Sequence, residues 1–349
     1  MKERFKIAAV QPQSVWGQEE WRNAQTAYDA VEEAAAQGAE LITFPEGFPG
    51  PCNGPLDSAG HLDIPPIERL RELAARHNVY IVGSNLEPSP EMPDSYFLTL
   101  KLIGRSGELE ADYRRVQPDH QHLNAYLHGG RRHVLPGDQI MVVETDLARI
   151  GLLICSELWV PEIARVQMLM GAELLVAPVN GRHSETRFGP RLWEQWRCLA
   201  RARAAENLCY VAVTQNIHLP GSTGIGIIAG PDGPVATLDG AGILYGEIDM
   251  ARLAWLRTHY YEPLLFEAPE SEDEPEFSCR PGQIHDRRPE LFKPLAEPQP
   301  DAFDYLYHRR SREAWRQEFN RVHQFDPARY GLYVEREVWR PRLPDEVSP

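Results

Sequence analysis

Residues 148–181 read ARIGLLICSELWVPEIARVQMLMGAELLVAPVNG. An apolar run, Ile150–Ile154, stops at Cys155, and the polar pair Ser156 and Glu157 follows. Pro161 then opens an amphipathic run that ends at Gly171, and a second apolar run, Leu174–Ala177, stops at Pro178. Proline just inside a helix start and glycine just past its end are the expected punctuation, so the stretch spells strand, tight turn, helix, strand. Cys155 therefore belongs at the carboxyl end of a buried strand, near the first turn of a helix. Exposed amide hydrogens in such a place favour a thiolate. A nucleophile and an inert buried cysteine both satisfy this position.

Working outward, the spacing predicts strands at Phe5–Gln11, Glu40–Phe44, Tyr80–Gly83, Tyr96–Ile103, Ile140–Val143, Tyr210–Thr214 and Ile243–Ile248. It predicts helices at Glu19–Gln37, with Trp21, Ala24, Tyr28, Val31 and Ala35 on one face, at Ile67–His77, and at Leu192–Glu206. Gly224–Ala229 with the turn Pro231-Asp232-Gly233 begins a hairpin. Strands alternate with helices over the first two-thirds and hairpins follow, a pattern of α/β layers with a mixed sheet. Glu46 lies where Pro45 and Gly47 end an apolar strand, so it too sits at a strand's carboxyl end. Residues 112–137 hold four histidines, His120, His122, His128 and His133, and show no clean period; they read as a long loop. Residues 267–276, EAPESEDEPE, read as an exposed acidic linker. The Arg- and aromatic-rich stretch beyond it, with a helical pattern over Arg309–His323, reads as an extension packing on the main body or on another subunit. The expected division is a main domain over 1–265 and an extension over 266–349.

Composition narrows the function classes. A net charge of −15 argues against nucleic acid and against an anionic membrane surface as partners. No apolar stretch has the length of a membrane span, and MKERFKIAAVQPQ carries no long apolar core of a signal peptide. The five cysteines, Cys52, Cys155, Cys198, Cys209 and Cys279, show neither paired spacing nor a metal-ligand pattern, and the histidines lack a helical His-x3-His pair. The expectation is a cytoplasmic protein with no metal. Cys198 and Cys209 fall within helix and strand patterns and read as core. Arg203, Glu206 and Asn207 read as structural, while Trp159 and Asn180, just after the two central strand ends, are read as lining a substrate pocket or as packing and turn residues. Only four lysines occur, Lys2, Lys6, Lys101 and Lys293.

Two residue types at strand ends suggest a chemistry. A cysteine needs a base to remove its proton, and a glutamate within hydrogen-bond reach serves and can then protonate a leaving amine. Attack on an amide carbon also builds an oxyanion, which needs fixed donors or a cation. Glu46, Cys155 and a basic residue of the 112–133 loop would supply all three.

Several further stretches carry a resemblance. They are IAAVQPQ at 7–13, GAELITFPEGF at 38–48, GELEADYRR at 107–115, LPGDQ at 135–139, the stretch around Cys155, RARAAENLCYVAVTQN at 201–216 and GILYGEIDM at 242–250. In this order, over roughly residues 4–257, the sequence resembles the nitrilase superfamily of carbon–nitrogen hydrolases. The resemblance implies a four-layer αββα sandwich, a Glu–Lys–Cys triad, a thioester acyl-enzyme, no metal or cofactor, and homo-oligomers. Glu46 falls on the family's general base, Cys155 on its nucleophile, and the backbone N–H of Ser156 on an oxyanion donor. The family's lysine sits in a Tyr-Arg-Lys stretch; here that stretch is Tyr113-Arg114-Arg115, so Arg115 takes the lysine position. The second glutamate that many members carry in this loop is missing, the nearest acids being Asp119 and Asp138. Lysine and arginine are not interchangeable at a tight catalytic position.

The expected function is hydrolysis of a small amide or carbamoyl compound, Cys155 attacking, Glu46 moving protons, Arg115 and the Ser156 amide holding the oxyanion. Cys-Ser-Glu lacks the Cys-Trp-Glu of true nitrilases, which favours amide over nitrile. Two alternatives remain at this point: altered chemistry on the same fold (nitrile hydrolysis, acyl transfer or condensation), and a catalytically silent binding or scaffold protein.

Overall fold

The computed structural model describes residues 2–15, 17–50, 62–90, 95–118, 133–180, 189–218, 220–258 and 284–296. The chain divides into two compact units, Met1–Pro118 with Val134–Ile284, and Asp119–His133 with His285–Pro349. The account below concerns the first.

Its strands are β1 (Arg4–Gln11), β2 (Leu41–Thr43), β3 (Tyr80–Pro88), β4 (Ser95–Ile103), β5 (Leu109–Arg114), β6 (His133–Val134), β7 (Val142–Glu144), β8 (Arg149–Leu152), β9 (Leu174–Val176), β10 (Tyr210–Val213), β11 (Gly226–Gly230), β12 (Gly233–Leu238) and β13 (Gly242–Asp249). Helices are α1 (Asn23–Ala36), α2 (Pro66–His77), α3 (Pro161–Leu169), α4 (Gly189–Asn207) and α5 (Met250–Thr258). One sheet runs β13-β1-β2-β3-β4-β5, with β6 beside β4; the other runs β12-β11-β10-β9-β8-β7. Both share one plan. Three parallel strands, β1, β2, β3 or β8, β9, β10, form the centre, and antiparallel strands flank them.

The alternation along the first sheet sorts its residues between two cores. Ile7, Ala9, Leu41, Tyr80 and Val82 join the cluster shared with the second sheet. Ala8, Val10, Ile42 and Ile81 join the cluster made with α1 and α2, where Ala27, Val31, Leu70 and Leu73 cover them. Beyond the second sheet, Ile163 and Ala164 of α3 and Trp196, Ala200 and Ala204 of α4 pack inward. The layers are therefore helix, sheet, sheet, helix: an αββα sandwich. Among the described residues no helix is long and apolar enough to cross a membrane.

Three local readings are corrected. Residues 112–137 do not begin as loop, because β5 reaches Arg114 and pairs with β4. The helix expected from Glu19 opens as a 3-10 turn, Gly17–Arg22, and α1 starts at Asn23, so its buried face is Asn23, Ala24, Ala27, Ala30, Val31 and Ala34 rather than one led by Trp21 and Tyr28. Cys198 is exposed, not core, because the inward stripe of α4 runs through Trp196, Ala200 and Ala204. His120, His122, His128, Asp119, Cys52, Cys279, the acidic linker and the helical pattern over Arg309–His323 lie outside the described residues.

The Leu-Pro-Gly-Asp-Gln stretch has a steric reason for its glycine. A Cβ on Gly137 would run into the backbone carbonyl of Arg114, and the Gly137 N–H donates to the Arg115 carbonyl at 2.7 Å. Gly137→Ala is expected to cost about 1–3 kcal/mol of stability by overpacking against backbone. Cys198→Ala, on the exposed side of α4, should stay within about 0.5 kcal/mol. Urea midpoints measure both, and equal losses would contradict this reading of the two positions.

Candidate active site

Ligand sites in α/β sheets form outside the carboxyl ends of strands. Glu46 follows β2, Arg115 follows β5, Cys155 follows β8, Asn180 follows β9, and Asn216 and His218 follow β10. The sequence-predicted Glu46, Arg115, Ser156 and Asn180 come together there in one hydrogen-bonded set.

Arg115 is 2% exposed and Glu46 5%. The Arg115 Nη1 donates to Glu46 Oε1 at 3.4 Å, and its Nη2 donates to Ser156 Oγ. The other carboxylate oxygen, Glu46 Oε2, accepts the backbone N–H of Asn180 at 2.8 Å. The Glu46 carbonyl accepts from Asn216 Nδ2 at 2.8 Å, and Ser14 Oγ donates to Asn216 Oδ1 at 2.6 Å. The Gly47 N–H donates to Ser84 Oγ at 2.9 Å with Gly47 at φ 67°, so the turn that presents Glu46 is tied to β3. A buried carboxylate is tolerable only when it is paired and hydrogen-bonded, and both conditions hold here.

Cys155 opens a 3-10 helix, Cys155–Trp159, with φ 54°. A left-handed conformation is uncommon for a residue with a Cβ and costs on the order of 1–3 kcal/mol, and such strain clusters at functional sites. The Cys155 N–H donates to the Pro178 carbonyl at 2.8 Å, which ties this turn to the end of β9. From the far side, Arg203 Nε donates to the Leu158 carbonyl at 3.1 Å and its Nη1 to Glu206 at 2.9 Å, while Asn207 Nδ2 donates to the Arg203 carbonyl at 3.0 Å. The Arg-Ala-Arg-Ala-Ala-Glu-Asn stretch thus braces the turn that carries the cysteine.

Glu157 and Tyr113 are the residues that sequence reasoning missed. Glu157 is fully buried. Its Oε2 accepts the Ile154 N–H at 2.7 Å and the Tyr113 hydroxyl at 2.8 Å; its Oε1 accepts the N–H groups of Val116 at 2.7 Å and Gln117 at 2.9 Å. One carboxyl group therefore joins the end of β8 in one sheet to the segment after β5 in the other. Burial pushes its pKa up, and the Arg115 charge and the donated hydrogens act against that push. Burial, together with the Glu157 charge, raises the Tyr113 phenol far above its ordinary range, so it stays a donor. The available signal was an acid set between an apolar strand and an apolar helix, where no solvent face was due.

His218 was also not foreseen. Its Nε2 lies 3.0 Å from Asn180 Oδ1, and since an amide oxygen only accepts, the imidazole N–H donates. Trp159 stands 41% exposed with its ring edge-on to Trp196. Among the described residues no group of three or more His, Cys, Asp or Glu side chains is arranged to hold a metal ion.

With this geometry in place, comparison with known proteins is decisive for the family. Residues 6–258 match the family model described as carbon-nitrogen hydrolase. The chain belongs to the carbon–nitrogen hydrolase family. It is 31% identical over 258 residues to a chloroplastic omega-amidase of Arabidopsis thaliana, covering 68% of this chain and 66% of that one. It is 29% identical over 249 residues to the human omega-amidase NIT2, covering 67% and 86%. Among solved structures, an amidase from Nesterenkonia sp. AN1 in complex with butyramide superposes with TM-score 0.60 at 24% identity, covering 83% and 96% of the two chains. The C. elegans NitFhit protein does so with TM-score 0.61 at 24% identity, covering 78% and 67%. The protein is thus a carbon–nitrogen hydrolase of the nitrilase superfamily, an enzyme acting on C–N bonds other than peptide bonds.

Replacing Glu157 by Gln presents an NH2 group to one pair of its donors, and leaving a buried donor unsatisfied costs about 1–3 kcal/mol. Tyr113→Phe removes one donor and leaves the three backbone N–H groups paired, about 1 kcal/mol. Denaturation should therefore rank Glu157→Gln well below Tyr113→Phe in stability, and the reverse order would show that the carboxylate is not the junction.

Proposed function

We propose that this hydrolase cleaves a small amide through a thioester on Cys155. The observation that carries the reading is the buried pairing of Glu46 with Arg115 beside the Cys155 turn. That arrangement gives a base, a fixed cation and a strained nucleophile position at one set of strand ends.

In the proposed reaction the Cys155 sulfur attacks the carbonyl carbon while its proton passes to Glu46, and the carbonyl electron pair moves onto oxygen. Arg115 and the Ser156 backbone N–H hold that oxyanion. On collapse the C–N bond breaks and Glu46 returns the proton to the departing nitrogen, releasing ammonia or an amine. Glu46, a carboxylate again, takes a proton from water as the water oxygen attacks the thioester. The C–S bond then breaks, the thiol recovers its proton, and a carboxylic acid leaves. A guanidinium never gives up its proton, so Arg115 acts here only as charge and donor, and every proton travels through Glu46. Its presence at the family's lysine position is part of this proposal. Asn180, held on Glu46 and by His218, is assigned to the pocket wall; Trp159 is assigned to its outer rim.

Relatives support an amide as substrate. Two bear the name omega-amidase, and mutants of the Nesterenkonia amidase are known, a cysteine-to-alanine one with butyramide and a glutamate-to-glutamine one with the acetamide moiety of fluoroacetamide attached to its active-site cysteine. Ammonia release over a panel of small amides and nitriles, butyramide included, tests the reading. Cys155→Ala should fold with an unchanged circular dichroism spectrum and release no ammonia, while Cys198→Ala keeps wild-type turnover. Arg115→Ala should lose on the order of 10²–10³ in rate, as removal of one oxyanion donor does. Full turnover by Cys155→Ala would end the proposal.

A further inference from the structure

We infer that the Ser156 side chain is a positioning residue that keeps one arm of the Arg115 guanidinium off Glu46, so that Glu46 remains basic enough to take the Cys155 proton. This rests on the reading proposed above, in which Glu46 is the base.

A guanidinium beside a carboxylate tends to close a two-point, fork-to-fork pair. Here that pair is held open at both ends. Arg115 offers Glu46 only Nη1, at the long distance of 3.4 Å, because its Nη2 is engaged by Ser156 Oγ. Glu46 meets Arg115 through Oε1, while its Oε2 accepts the Asn180 N–H at 2.8 Å. A carboxylate locked into two parallel bonds to a permanent cation is a poor base, and general-base efficiency follows basicity. An ammonium has no second arm to restrain. Ser156 should therefore matter with arginine at 115 and cease to matter with lysine there. The small side chain also leaves room for the guanidinium, since Ser156 Oγ is in direct contact with Nη2. Among the described residues, the charged and titratable groups tied to Glu46 by hydrogen bonds are Arg115 after β5 and, through Asn180, His218 after β10.

The test is a double-mutant cycle on the full chain: wild type, Ser156→Ala, Arg115→Lys and the double variant, with Ser156→Thr as the hydroxyl-retaining control. Two readouts are taken between about pH 5 and 9. One is the rate of alkylation of Cys155 by iodoacetamide, followed by peptide mass with the exposed Cys198 as internal reference. The other is ammonia release from butyramide. With arginine at 115, Ser156→Ala should slow Cys155 alkylation about tenfold on its pH plateau and move the acid limb to lower pH, and Ser156→Thr should restore both. With lysine at 115, Ser156→Ala should change the rate by less than about twofold. An unchanged acid limb in Ser156→Ala, or an equal loss in both backgrounds, overturns the inference. If wild type releases no ammonia from butyramide while the alkylation cycle shows the coupling, the Ser156 assignment stands and the amide reading falls.

Discussion

The carboxyl group of Glu157 is the junction on which the site depends. It lies buried between two sheets, and its four donors come from two different strand ends. The Ile154 N–H belongs to the residue before Cys155, and the Val116 and Gln117 N–H groups follow Arg115 directly. Moving either segment breaks these buried hydrogen bonds. The relative position of the cysteine turn and the arginine is therefore fixed by a carboxyl group two residues beyond the cysteine. The cost of burying a charge, which keeps the Glu157 pKa raised, is reduced by that set of donors and by the nearby guanidinium. Tyr113 completes the set from within β5, so the strand that delivers Arg115 is held by the same carboxyl group as the turn that delivers Cys155.

Around this junction the polar groups are arranged to restrain one another. Glu46 is held through both carboxylate oxygens and through its carbonyl, by elements of both sheets. Fixed geometry of this kind is what a reaction with little time for reorganisation requires, since misplacement of a single group is expensive. On the proposed chemistry the charge of the site does not change as the proton moves from sulfur to Glu46 and on to nitrogen, which suits an arginine that cannot take part in proton transfer.

The fold was legible where apolar runs meet abrupt punctuation. Pro45 and Gly47 mark the end that carries Glu46, and the break from Ile154 to Cys155 marks the other; the parallel centre of each sheet follows from such runs. β5 escaped notice because only Ala111 and Tyr113 of its six residues point inward, and Glu110, Asp112 and Arg114 face out, so its two-residue period is carried by few apolar positions. Arg114 lies over the Phe97 ring on that outer face, a contact that depends on strand pairing and not on spacing. Cys198 was misplaced because a helix with tryptophan at 193 and 196 admits more than one inward stripe until its neighbours are known. Glu157 read only as half of a polar pair in the turn between strand and helix. Three of its four partners lie about forty residues away in sequence, and no local pattern announces bonds of that range.

The central claim is that Cys155 is the one cysteine prepared for attack. Incubating the full chain with limiting iodoacetamide, digesting it and mapping the adduct by mass tests this most directly. The account predicts that the peptide containing Cys155 gains the acetamide moiety first, ahead of the peptide containing exposed Cys198. Modification confined to Cys198, or a Cys155 peptide of unchanged mass, would contradict it.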